Sequence, residues 1–275
     1  MMFQSGTLFV CGAGEPTGTR GAHPRIDHEM KTEPSEDGGV PPPPWQRTPV
    51  RPVRRRRDPI SREAIVAAAM QLLDAEGLGA LSMRGIAGQL GTGAASLYWH
   101  VGSKDGLLDL IFDEIVGEVT VPDPDPPRWR EQVKEIARAQ RAVSLRHPYA
   151  VQLSIGRIPM GPNALRYSER TLAILRAGGL PPRLAVQGSH LLIATVNGFT
   201  LDETGVGGPD AEESLTAAAP AAADVASSYL AALPSQRFPN LVALADEFRY
   251  ADPDERFELL VDIFVDGLAR RAETG

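Results

Sequence analysis

Residues 81–108 read LSMRGIAGQLGTGAASLYWHVGSKDGLL, and this stretch limits the fold more than any other in the 275-residue chain. Ile86 and Leu90 recur at helical spacing before Gly91-Thr92-Gly93, and Leu97 and Val101 recur after it. Ser82 and Ser103 stand where helix N-caps belong. Two short helices that meet across a glycine turn and share one apolar face form a helix-turn-helix, expected over about 82–101. That shape lays its second helix in the major groove of DNA.

The spacing also nominates a reading face. Ala94 and Tyr98 are four apart, opposite Leu97, with Ala95 and Ser96 beside them. Small side chains let a helix approach closely. Alanine methyls can meet thymine methyls, and Ser96 can bond a base edge or a phosphate. Arg84, near the start of the preceding helix, can reach guanine or phosphate. Thr92, Tyr98, His100 and Lys104 suit phosphate contacts, and free N–H groups behind Ser103 add to them. Trp99 stays open between a core aromatic and a contact, and His100 between a contact and a solvated helix end.

A net charge of −7 argues against nucleic acid, but the charge is uneven. Residues 45–110 carry nine Lys or Arg against six Asp or Glu, whereas 111–275 carry sixteen against twenty-three. A basic segment joined to an acidic helical remainder fits a DNA reader with a second module. Cys11 is the only cysteine, which leaves no internal disulfide and points to a reducing compartment. The opening residues lack the basic flank of a signal peptide. Leu184 to Leu201 is interrupted by Gln187, His190 and Asn197, too polar for a membrane span. The expected setting is cytoplasmic, at the bacterial nucleoid, with no membrane partner.

Residues 1–57, with PPPP at 41–44 and RPVRRRR at 51–57, are expected to be disordered. Met30 is an alternative start, and Arg54–Arg57 read either as a DNA-gripping arm or as a solubilising tail. A first helix is expected from about Asp58-Pro59, carrying Ile65, Ala69, Leu72 and Leu73, to Gly77. Ser103 opens a fourth helix with Leu107, Leu108, Ile111, Phe112 and Ile115 inward, and Pro122, Pro124, Pro126 and Pro127 follow it. Further helices are expected over 128–146, 149–156, 162–178, 182–202, 238–250 and 254–271, with 203–237 a partly helical or mobile loop. The fold class is all-α: a three-helix DNA-binding domain over 58–119 and a helical-bundle ligand-binding and dimerisation domain over 120–275.

No phosphate loop, Glu-x-x-His pair, GxSxG or placed nucleophilic cysteine supports an enzyme, so no catalytic residue, metal or cofactor is expected. His190 and Asn197, seven apart, share a helix face, either lining a pocket or meeting at a dimer seam. Phe112, Tyr149, Gln152 and Tyr167 are further pocket candidates. His147-Pro148 reads as punctuation between helices.

The runs AAAMQLLDAEG, LSMRGIAGQLG and SLYWHVGSKDGLL resemble the DNA-binding domain of the TetR family of bacterial regulators over about residues 59–119. Trp129, Gly156, the AGG at 177–179 and FELLVDIFVDGLARR are similar, more loosely, to the C-terminal domain of its tetracycline-binding members. The resemblance implies an all-α homodimer joined by a four-helix bundle from helices 182–202 and 254–271. It further implies a palindromic double-stranded DNA operator and a small apolar effector that releases it. The alternative is a DNA-binding regulator with no effector. Tetracycline-binding members hold the drug as a magnesium chelate through a histidine. The aligned position here is Ser154, and two drug-contacting polar positions align with Thr120 and Ile136. Ala94 and Ala95 replace a glutamine and a proline, so the operator is expected to differ as well.

Overall fold

Three serines set where the first helices begin. Ser61 Oγ accepts from Ala64 N at 3.1 Å, Ser82 Oγ from Gly85 N at 3.1 Å and Ser103 Oγ from Gly106 N at 2.9 Å. Each satisfies one of the N–H groups that a helix start leaves free. In a computed structural model, which describes residues 60–204, 219–249 and 252–274, these caps open α1 (Arg62–Glu76), α2 (Met83–Gln89) and α4 (Lys104–Gly117). Between the last two lies α3 (Ala94–Val101). The first helix therefore starts behind Ser61 rather than at Asp58-Pro59, which lie outside the described residues. So do Cys11, Met30, Arg54–Arg57 and the whole of 1–57.

Gly91 makes the turn between α2 and α3. Its φ of 63° lies in the left-handed region that side chains disfavour. Thr92 N then donates to Ala87 O at 2.9 Å, closing the turn back on α2. Ile65, Ala69, Leu73, Ile86, Leu97, Leu107 and Ile111 bury together in the angle of these four helices. The same core continues into Val143, Tyr149, Ala150 and Leu153, beyond α4.

The remaining helices are α5 (Trp129–Arg146), α6 (Tyr149–Ser154), α7 (Pro162–Ala177), α8 (Pro182–Thr204), α9 (Ala219–Ala231), α10 (Pro239–Ala243) and α11 (Pro253–Thr274). Helices α5, α7, α8 and α11 pack on one another around Val133, Ile136, Ile174, Leu192, Val196, Phe257 and Val261. One expectation changes. The helix expected over 238–250 is the short α10 followed by a 3-10 turn, Ala245–Arg249. Over 203–237, expected as a partly helical or mobile loop, the helical alternative fits α9, which packs on α10 and that turn, while 205–218 lie outside the described residues. Among the described residues there is no strand, and no helix is long and apolar enough to cross a membrane.

Gly178, just after α7, lies against the Trp129 ring at the start of α5, closer than any Cβ can come. Gly178→Ala is expected to force the indole aside and destabilise the chain by about 1–3 kcal/mol. Gly88→Ala, with open space around it on α2, is expected to be neutral or to gain up to about 1 kcal/mol. Urea unfolding of the two variants separates close approach from generic glycine loss, and equal midpoints would remove the indole contact as the cause.

Candidate nucleic-acid interface and ligand pocket

The α3 helix is seated by Leu97 and Val101, both buried against α1, α2 and α4. Its outer side carries Ala95, Tyr98 and Trp99, all exposed, with Tyr98 at 46% and Trp99 at 70%. Ala94 differs from the expectation, because it is half-buried and packs on the head's core. Helix α3 is thus rolled so that Ala95 and Trp99, four apart, lead the outer face with Tyr98 beside them. Ser96 is half-buried on the flank. The exposure of Trp99 decides its open reading against a core role. The 3.6-residue period puts it next to Tyr98 on the side away from Leu97.

Arg84 is exposed on α2, and Thr92 is half-buried in the turn. His100 is held in place: its ring meets Trp99 edge-on at 4.7 Å, and its carbonyl accepts from Arg62 Nε at 3.3 Å. Its Nε2 is buried without a hydrogen-bond partner. Lys104 Nζ donates to Leu81 O at 2.8 Å, so this ammonium braces the start of α4 against the segment before α2. Two of its protons stay available for an anion.

A small cavity, partly open to solvent, lies among α4, α5, α6, α7 and α8. Phe112, Ile115 and Val116 of α4, with Val119 just beyond its end, form one wall, and Val143, Ala150, Ala164 and Ile193 continue it. The polar residues stand in a row. Tyr167 Oη donates to Gln140 Oε1 at 3.1 Å, and Gln140 Nε2 donates to Asn197 Oδ1 at 3.0 Å. Asn197 Nδ2 then reaches Ser154 Oγ at 3.3 Å. Burial pushes the Tyr167 phenol well above its ordinary pKa, so it serves as a neutral hydrogen-bonding group. An apolar cavity with a few convergent amides and hydroxyls is the usual form of a small-molecule site.

Of the expected pocket residues, Phe112, Tyr167 and Asn197 meet there. Tyr149, Gln152 and His190 are not part of the lining. Tyr149 turns to α1, donating to Asp74 Oδ1 at 2.9 Å, and His190 is exposed on α8. Its seven-residue spacing from Asn197 sets a shared helix face, but His190 comes before the stretch of α8 that lines the cavity, from Ile193 to Asn197. Of the positions aligned with tetracycline contacts, Ile136 is in the body core and Thr120 is exposed. Gln140 and Ser144 were missed. Their signal is that both interrupt the apolar stripe of α5 that includes Ile136 and Val143. Among the described residues no group of three or more His, Cys, Asp or Glu stands ready for a metal ion.

Residues 65–111 match the family described as bacterial regulatory proteins, tetR family, and residues 122–272 match the tetracyclin repressor-like C-terminal domain. An HTH-type transcriptional regulator of Saccharopolyspora erythraea is 40% identical over 151 residues, 54% of this chain and 62% of that protein. The HTH-type transcriptional repressor DrrR1 of Streptomyces coeruleorubidus is 39% identical over 131 residues, 47% of this chain and 48% of that protein. The chain thus spans between about half and three-fifths of the length of these curated relatives. The crystal structure of ActR of Streptomyces coelicolor in complex with actinorhodin superposes with a TM-score of 0.70 at 45% identity, covering 76% of this chain and 95% of that one.

Proposed function

This chain belongs to the TetR family of helix-turn-helix transcriptional regulators, and from that premise we propose that it is a homodimeric repressor released from a palindromic operator by a small apolar molecule. One observation carries the reading: α4 is common to both sites. Its first turns, with Leu107 and Ile111, are built into the head's core, and its later turns, with Phe112, Ile115 and Val116, wall the cavity. A molecule that displaces the wall displaces the head. ActR, whose crystal structure is a complex with actinorhodin, supports a small-molecule effector.

The reading residues are Ala95, Ser96, Tyr98 and Trp99, with Arg84, Thr92, His100 and Lys104 around them. Ala94 is left to shape rather than contact. Val186 and Leu191 on α8 and Leu259 and Ile263 on α11 are exposed apolar side chains, which favours pairing of these helices with a second copy. Such a dimer sets two heads about 34–36 Å apart, one turn of DNA or a multiple of it. The head is proposed to occupy about 58–119 and the regulatory body the rest, in the cytoplasm at the nucleoid.

Genomic fragments bound at near-physiological salt by the wild type and by an Arg84→Ala/Tyr98→Ala variant test this. The expected result is a shared palindrome recovered by the wild type and lost by the variant. Recovery of only unrelated, salt-sensitive fragments by both proteins would remove the sequence-specific reading. Actinorhodin titrated against the free protein and against its complex with the selected duplex then tests release. Linkage requires DNA to weaken an inducer by the same factor by which the inducer weakens DNA. A compound that binds both forms equally is not an inducer, and dimer mass by sedimentation settles the pairing.

A further inference from the structure

His147 follows α5 and is buried, at 8% exposed. Its Nδ1 lies 3.1 Å from Asp74 Oδ1 and its Nε2 lies 3.1 Å from Glu118 Oε1. Tyr149 Oη donates to the same oxygen of Asp74, and Arg146 Nη2 donates to the other oxygen of Glu118 at 2.7 Å. Three parts of the chain meet at one ring: Asp74 in the last turn of α1, Glu118 at the end of α4, and the turn between α5 and α6. Each ring nitrogen thus faces a carboxylate oxygen, one from α1 and one from the end of α4, so a single side chain bridges the two acids.

The position of this ring explains what such a contact can do. Glu118 caps the end of α4, between the cavity residues Val116 and Val119. His147 follows the cavity residues Val143 and Ser144 by one turn, and Ala150 follows Tyr149 directly. Both cavity walls therefore end in a limb of the same clamp. The third limb, Asp74, belongs to the head. Apolar packing of α6 against the head is non-directional and tolerates sliding, whereas a ring bonded on both edges fixes one arrangement.

We propose that His147 is the positioning residue that couples the cavity to the reading head, by holding Asp74 of α1 and Glu118 of α4 to the α5–α6 turn. This rests on the ligand-responsive DNA-binding reading above. Coupling between two sites is reciprocal, so DNA at the head must be felt at the cavity wall through this clamp.

Hydrogen exchange of the full-length chain, with and without the duplex selected by the wild type, reads that signal at residues 112–119 and 143–150. In the wild type, duplex binding is expected to change exchange there by about tenfold or more. Asp74→Ala and His147→Ala are expected to keep duplex affinity within about threefold while that change falls below about twofold. Loss of a merely structural contact would raise exchange equally with and without DNA, leaving the ratio intact. Asp74 is exposed at the end of α1, so its variant carries the test if His147→Ala fails to fold. Variants that transmit like the wild type overturn the clamp, as does a wild type that binds the duplex without any change at the wall. A wild type that selects no duplex overturns instead the regulator reading beneath it.

Discussion

Replacing Arg141 by alanine is expected to cost the folded chain about 2–4 kcal/mol. Arg141 lies on α5 with its side chain 13% exposed, and it donates to Glu203 through two nitrogens, Nε at 2.9 Å and Nη2 at 2.6 Å. The hydrogen bonds to Glu203 raise the guanidinium pKa above its already high ordinary value, so the charge is permanent. The plane also stands 4.8 Å from the ring of Phe257 of α11 and 5.6 Å from that of Phe199 of α8. One side chain thus ties α5 to the two helices proposed to carry the dimer. Asp254, the other carboxylate on Arg141, is largely exposed and adds little. Alanine would leave Glu203, 16% exposed, without the charge that compensates its burial. Arg141→Met/Glu203→Leu is expected to recover most of the loss, because apolar groups of similar size need no partner. Urea unfolding of the single and double variants decides it. A cost below about 1 kcal/mol for Arg141→Ala would mean that water reaches Glu203 freely.

The head was legible in the sequence because its signals are local. Capping serines, a glycine turn and apolar residues three and four apart report on their own neighbours, and Ser61, Gly91 and Leu97 stand where such signals belong. The roll of α3 was less legible. Ala94 and Ala95 are the same residue type at adjacent positions, and only packing on the head's core decides that the first turns inward. The body's helices were legible from their stripes, but the cavity was not, because it forms among five helices far apart in the chain. Gln140 and Asn197 are 57 residues apart and touch. His147 shows the same limit. Beside Pro148 it reads as a helix end, and its real role depends on Asp74, 73 residues earlier. The break in 238–250 belongs here too, since α10 and the following turn are shaped by α9 rather than by their own apolar period.

Leu97→Ala and Tyr98→Ala, neighbours on α3, are expected to weaken operator binding for opposite physical reasons. Leu97 is fully buried among α1, α2 and α4, and its truncation is expected to cost about 2–5 kcal/mol by leaving a cavity in a small core. For a chain of this size that lowers the melting temperature by about 5–15 °C. The reading face keeps every atom in this variant but loses the surface that seats it, and placement errors of about 1 Å are enough to forfeit contacts of hydrogen-bond reach. Tyr98 is half out in solvent, so its truncation is expected to stay within about 0.5 kcal/mol of the wild-type stability. Its effect falls on the DNA alone, at about 1–3 kcal/mol for a lost contact, or roughly tenfold to a hundredfold in affinity. Paired melting and binding measurements on the two variants separate seat from contact. If Leu97→Ala loses the operator without a fall in melting temperature, the seating of α3 is not what Leu97 provides. If Tyr98→Ala melts early, its ring belongs to the core, and the outer face must be redrawn around Ala95 and Trp99.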